Sequence, residues 1–365
     1  MAEITLKRIQ WIDCAKAVAI TAVAVDHCNR VIYTNPAIAK ASYFSVTLFI
    51  FLSGITAWNS SFKSGQVNPG GGGGVICRQF LKLRGILLQY ALATFLLQIY
   101  YQRFFDLKSY LSYLLNFSIQ GPYYFLLIFI QLKLVSPALI MWCHICNRRR
   151  GAIGWHLGTV ASLCWLCSIL VRYTFMLPVH GGGKHLLGGT YLLVYYLGIL
   201  MANFNWFHCS AKMSKGILIC SSALWIFWWQ MICNDKTAFL DQCVAKYWGK
   251  GLNPPSIQYI IFALITLFLL YSLFTLAEEL HAKLVDHMIS VFAFLGRYTL
   301  YTFMYHLVVR DFMIAAFPAI QSNIWLLRLA VFVPMLTFPV IAANGIQRLR
   351  AYIEIKYEKI KTMEG

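Results

Sequence analysis

The chain has 365 residues, of which 59% are hydrophobic and only 12% charged, a balance too apolar for one or two water-soluble domains. Its formal charge of +18 comes without a basic stripe interleaved with aromatics in a soluble segment. That excludes nucleic acid as the partner the charge serves and leaves the lipid bilayer.

In chain order, about ten apolar stretches are long enough to cross roughly 30 Å of hydrocarbon. They lie near residues 14–33, 42–62, 85–102, 122–142, 153–172, 186–204, 216–233, 257–277, 289–308 and 323–345. Many of the 11 Trp and 21 Tyr sit near the ends of these runs, where interfacial side chains settle. The first run follows "MAEITLKRIQWID" without a small-residue cleavage site behind it, which reads as a retained helix and not a signal peptide. The expectation is an all-α, polytopic membrane protein of about ten transmembrane helices, forming a single domain over residues 1–365.

Basic residues orient it. With both termini inside, seventeen lysines and arginines fall in inner segments and nine in outer ones, so the termini are expected to be cytoplasmic. The protein is expected to be a multi-pass membrane protein, with the plasma membrane as its expected location.

Several loop motifs invite chemistry and are better read as structure. The segment "NPGGGGGVICRQFLKLR" (68–84) lacks the flanking strand of a P-loop and reads as a flexible tether with a basic end. "CHIC" (Cys143 to Cys146) and "CWLC" (Cys164 to Cys167) resemble halves of a zinc ribbon, but the second lies in an apolar span without a polar shell for a metal thiolate. No metal is expected. "HGGGKH" (180–185) has no G-x-S-x-G nucleophile elbow to serve and reads as an outer loop. His281 and His287, with Glu278 and Glu279, miss the H-E-x-x-H spacing and fit a solvated inner loop.

Charged or strongly polar groups within a span cost about 2.5–3.5 kcal/mol at its centre on insertion scales, so each is a functional candidate. In the first span Asp13 and Lys16 are three apart and can pair on one face. His27 lies eleven residues beyond Lys16, on the same face and about 16 Å along the axis. Asp26 sits about 100° around the helix from His27, a poor position from which to orient it. An imidazole there can accept a proton from a hydroxyl near neutral pH. In "FLGRYTLYTFMYHLVVRD" (294–311), Arg297, Tyr301, Tyr305 and His306 interrupt a second apolar run. With the ninth span running outward, His306 reaches the depth of His27, and the two histidines are expected to line one cavity with Arg297. Ser53 and Gly54 fall mid-span, Gly54 allowing close helix approach and Ser53 suited to packing.

These motifs, in this order, resemble the integral-membrane acyltransferase family 3, which includes O-acetylases of bacterial surface polysaccharides and glucan succinyltransferases. "IDCAKAVAITAVAVDH" is similar to the family's opening pattern at Asp13, Lys16 and His27. "TLFIFLSG" looks like its Phe-rich Ser-Gly motif, and "FLKLRGILLQY" like its basic cluster at Lys82 and Arg84. "GPYYFLLIFIQL" resembles the aromatic opening of a middle span at Tyr123 and Tyr124, and "FLGRYTLYTFMYH" the closing motif at Gly296, Tyr301 and His306. Lys16 stands where the family usually has Arg, keeping the charge but losing the bidentate fork. The usual Pro of the third span is replaced near Gln89.

The resemblance implies an O-acetyltransferase that moves an acyl group, most often acetyl from acetyl-CoA, to a hydroxyl of a carbohydrate at the cell surface or on a lipid carrier. The anionic CoA suits the basic cluster of Arg78, Lys82 and Arg84, assisted by Lys16. His27 and His306 are the expected catalytic residues, His27 as base or transient acyl carrier, supported by Asp13, Lys16, Ser53, Arg297 and Tyr301. The rival from another class is a polytopic glycan or lipid transporter, which would consume no acyl-CoA and would show Gly/Pro breaks repeated in two halves.

Overall fold

The computed structural model describes residues 9–63, 72–173, 184–249, 251–318 and 325–363. Their regular structure is helical, with one isolated bridge between Asn29 and Tyr33. The helices are α1 (Gln10–Cys28), α2 (Pro36–Ala41), α3 (Ser45–Lys63), α4 (Gly72–Gln102), α5 (Leu107–Asn116), α6 (Tyr124–Asn147) and α7 (Ala152–Arg172). They continue with α8 (Tyr191–Asn203), α9 (Ala211–Cys233), α10 (Ala238–Trp248), α11 (Ile257–Glu279), α12 (Lys283–Arg297), α13 (Thr299–Ala316) and α14 (Trp325–Met363).

Each of the ten expected stretches falls on helix, but among the described residues seven helical segments are long and apolar enough to cross a membrane. The three exceptions have separate physical causes. α1 carries Asp13, Lys16 and Asp26 within its 19 residues. α8 has only 13 residues, because the chain enters it through a turn in which Leu187, Gly188 and Gly189 take positive φ. The expected ninth span is broken at Tyr298, which ends α12 and begins α13. Tyr298 is held at that break by its hydroxyl, 3.1 Å from both Asn344 Oδ1 and Gln347 Oε1 of α14.

The segment 68–84, expected as a tether, is helix from Gly72 onward, so α4 reaches 31 residues. The good helix formers of "CRQFLKLR" carry α4 back well before the apolar run begins. Residues 68–71 lie outside the described residues.

Apolar side chains cover the outside as well as the core. Trp165 on α7 and Ile219 on α9 point outward, an arrangement suited to lipid and costly in water. Because lipid tails are as apolar as leucine, helices in such a setting associate through close packing and interhelical hydrogen bonds. Both are present. α3 crosses α8 where Gly54 faces Gly198: a methyl on Gly54 would overlap the main-chain oxygen of Tyr195, and one on Gly198 that of Phe51. α12 meets α1 where Gly296 rests on the main chain of Asp13. The buried Tyr123 hydroxyl donates to Met304 O at 2.7 Å, and Tyr195 to Ser136 Oγ at 2.9 Å. Cys143 and Cys167 are fully buried and pack in the main core as small apolar groups.

These contacts bring α1, α3, α6 and the α12–α13 break together, and the site lies among them.

Candidate active site

α1 supplies polar groups near both of its ends. Near its start, Lys16 Nζ lies 3.6 Å from Asp13 Oδ1, the pairing that the three-residue spacing predicts. Around this pair is a cavity of about 190 Å³ that also takes Ser53 from α3, Lys133 from α6 and Arg297 from the end of α12. Three cations and one carboxylate face this space, a net positive lining that suits an anion.

At the other end of α1, His27 and Asp26, both half-buried, line a second cavity of about 260 Å³. Ser45, Tyr124 and Asn253 complete its polar lining. Asp26 therefore shares the space of His27, contrary to the expectation from its angle on the helix wheel. Two neighbours 100° apart can flank one hollow when it opens between them.

His306 lies behind His27. The two rings stack with centroids 5.2 Å apart and planes 29° apart. His306 is fully buried, and its Nδ1 sits 3.1 Å from Thr302 O and 2.7 Å from Phe303 O. Both oxygens can only accept, so the proton is on Nδ1 and Nε2 keeps its lone pair. That Nε2 is buried with no hydrogen-bond partner among the described residues. An orphan acceptor in such surroundings is costly, which points to a functional reason for its position.

A polar cluster fixes the chain around His27. Arg310 Nη1 donates to His27 O at 2.7 Å, while Nε and Nη2 both lie 2.7 Å from Asp311 Oδ1. Tyr101 donates to Asp311 Oδ2 at 2.5 Å and itself accepts from Gln120. Gln89, standing near the place of the family's usual Pro, accepts from Tyr305 at 2.8 Å and ties α4 to α13.

A family model described as an acyltransferase domain, that of acyltransferase family 3, matches residues 9–344. The chain belongs to that family. No curated protein and no solved structure shows a match. Family membership makes this polytopic membrane protein an acyltransferase.

The acyltransferase does not gather its sequence-predicted residues into one cavity. Asp13, Lys16, Ser53 and Arg297 meet in the cationic cavity, and His27 lines the other with His306 stacked behind it. Between the cavities stand Phe125 and Phe303, which line both. Tyr301 lines neither and packs with Tyr298, Val340 and Ala343 beside α14. Arg84 is exposed on α4, and the side chains of Arg78 and Lys82 lie outside the described residues, as do residues 180–183 of "HGGGKH". Among the described residues no group of three or more His, Cys, Asp or Glu is placed to hold a metal.

Sequence reasoning missed Lys133, Arg310 and the two phenylalanines. Lys133, a lone cation inside an apolar run, carried a usable signal. Phe125 and Phe303 carried none, since each is one of 26 Phe in the chain.

Proposed function

We propose that this acyltransferase moves an acetyl group from acetyl-CoA to a hydroxyl of a cell-surface or lipid-linked carbohydrate, as a single domain in the plasma membrane with both termini cytoplasmic. The observation that carries the proposal is the placement of His27: it lines a cavity separated by only two rings from a cavity faced by three cations. The CoA phosphates are drawn to Lys16, Lys133 and Arg297, with Arg78, Lys82 and Arg84 adding positive charge along α4. The carbohydrate occupies the cavity of His27.

His27 takes the proton of the acceptor hydroxyl as its oxygen bonds to the thioester carbonyl carbon. The C–S bond then breaks, and the imidazolium returns the proton to the CoA thiolate, leaving the ester and free CoA. His306 is a positioning residue. Its ring, held at Nδ1 by Thr302 O and Phe303 O, stacks on that of His27 and fixes its plane. Asp13 pairs with Lys16 and holds it at the cationic cavity.

Mass spectrometry of surface glycans from cells with and without the protein tests the reading, with an added acetyl mass expected only when it is present. The His27→Ala variant should retain acetyl-CoA binding and lose transfer by 10²-fold or more, on the order of a general base's contribution. Wild-type transfer by a folded His27→Ala protein would sink the assignment. Carbohydrate moved across the membrane with no acyl-CoA consumed would identify a transporter instead.

A further inference from the structure

The cationic cavity and the histidine cavity have two side chains in common, Phe125 of α6 and Phe303 of α13. Their rings touch at 5.0 Å between centroids with planes 60° apart, and both are buried. Phe49, which also lines the cationic cavity, lies 6.2 Å from Phe125, and the ring of His306 lies 5.9 Å from Phe303. The wall between cations and His27 is therefore aromatic.

For reaction, the thioester carbonyl carbon must come within about 3–3.5 Å of the hydroxyl beside His27. The pantetheine chain then trails back to the cations, so the rest of the acyl group rests on the two rings. A methyl group suits such a surface. With the pantetheine chain threaded past the rings and the acceptor in a cavity of about 260 Å³, a longer alkyl chain lacks room beside them. A carboxylate resting on the rings would lose its hydration against a surface that offers no donor and would face the negative side of each ring.

We propose that Phe125 and Phe303 determine acyl specificity, selecting a short uncharged acyl group and rejecting longer or carboxylate-ended ones. The inference rests on the acyltransferase reading above and on delivery of the donor from the cationic cavity. The bonds made and broken are those already given, with the acyl group alone varied.

The test uses membranes from cells expressing the full-length chain, with membranes lacking it as control. Isotope-labelled acetyl-CoA, butyryl-CoA and succinyl-CoA are supplied together, and label on the glycan is read by mass spectrometry. Wild type should favour acetyl over each rival by about 10-fold or more, the discrimination available to a few methylenes in an apolar pocket. Phe303→Ala and Phe125→Ala should each raise the butyryl-to-acetyl ratio about 10-fold. Phe303→Leu and Phe125→Leu, which keep the wall apolar, should raise it less and carry the test if an Ala variant fails to accumulate. Equal use of all three donors by wild type overturns the proposal. So does an unchanged ratio in the variants that retain acetyl transfer. Label from none of the donors, in wild type as in control, defeats the acyl-CoA reading itself.

Discussion

Arg310 donates from Nη1 to the main-chain oxygen of His27 at 2.7 Å, joining residues 283 positions apart. The bond fixes the last turn of α1 to α13, and with it the plane in which the His27 ring meets His306. Asp311 holds the guanidinium by its other edge.

Replacing Arg310 by Lys keeps a charge but cannot reach His27 O and Asp311 together in the same geometry. The Arg310→Lys protein should fold and bind donor with an unchanged KM. Its kcat should fall by about 10²-fold, as expected when a catalytic group is misplaced by about 1 Å. Loss in KM alone would show that Arg310 serves substrate binding instead.

His306 separates packing from chemistry through its two nitrogens. Asn at this position can still donate near the site of Nδ1, whereas Gln can place a polar atom near Nε2. His306→Asn should accumulate normally and lose about 10²-fold in kcat, with partial recovery in His306→Gln. Equal activity in the Asn variant and wild type would reduce His306 to a packing residue.

Lys133 contributes one of the three cations of its cavity. Lys133→Gln should raise the KM for acyl-CoA by roughly 10-fold or more, the effect of a charge-assisted hydrogen bond worth about 1.5–3 kcal/mol. The kcat at saturating donor should hold. Titration of donor binding in wild type and variant decides between this and a structural role, which would lower kcat with KM unchanged.

Two glycines on helices give opposite expectations. A methyl on Gly296 would overlap the main chain of Asp13, so Gly296→Ala must push α12 from α1 and should destabilise the protein by about 3 kcal/mol or more. Gly216 on α9 has open space around it, so Gly216→Ala should be neutral or stabilising by up to about 1 kcal/mol. Thermal unfolding in detergent compares them, and a stable Gly296→Ala protein would refute the close approach.

Asp106 caps α5, with its carboxylate 2.9 Å from Ser109 N and 3.3 Å from Lys108 N. Hydrogen bonds from the Ser109 side chain and main chain, then from Lys108, hold its carboxyl below the usual carboxylate range. A depressed pKa stabilises the folded form fully above the unfolded value of about 3.9, and the benefit disappears as pH falls through the lower folded value. Amide protection factors over residues 107–116 should thus be flat down to about pH 4 and decline below it. Asp106→Asn, which keeps the cap without the charge, should remove that decline. Protection in wild type that ignores acid would contradict the assignment.

The sequence by itself determined the all-helical class, because long apolar runs interrupted by few charges have no other way to satisfy their backbone in lipid. It also marked Asp13, Lys16 and His27, since polar groups in such runs are few and their spacing fixes which share a helix face. Gly296 was legible as part of a motif, but its physical reason, the main chain of Asp13, was not. The tertiary structure decided the rest: the break at Tyr298, held by Asn344 and Gln347, and the clamp of Arg310 on His27. It also divided one expected cavity into two by setting Phe125 against Phe303. Contacts of that kind join residues far apart in the chain, and a phenylalanine in a membrane span looks the same in sequence whether it faces lipid or stands between two cavities.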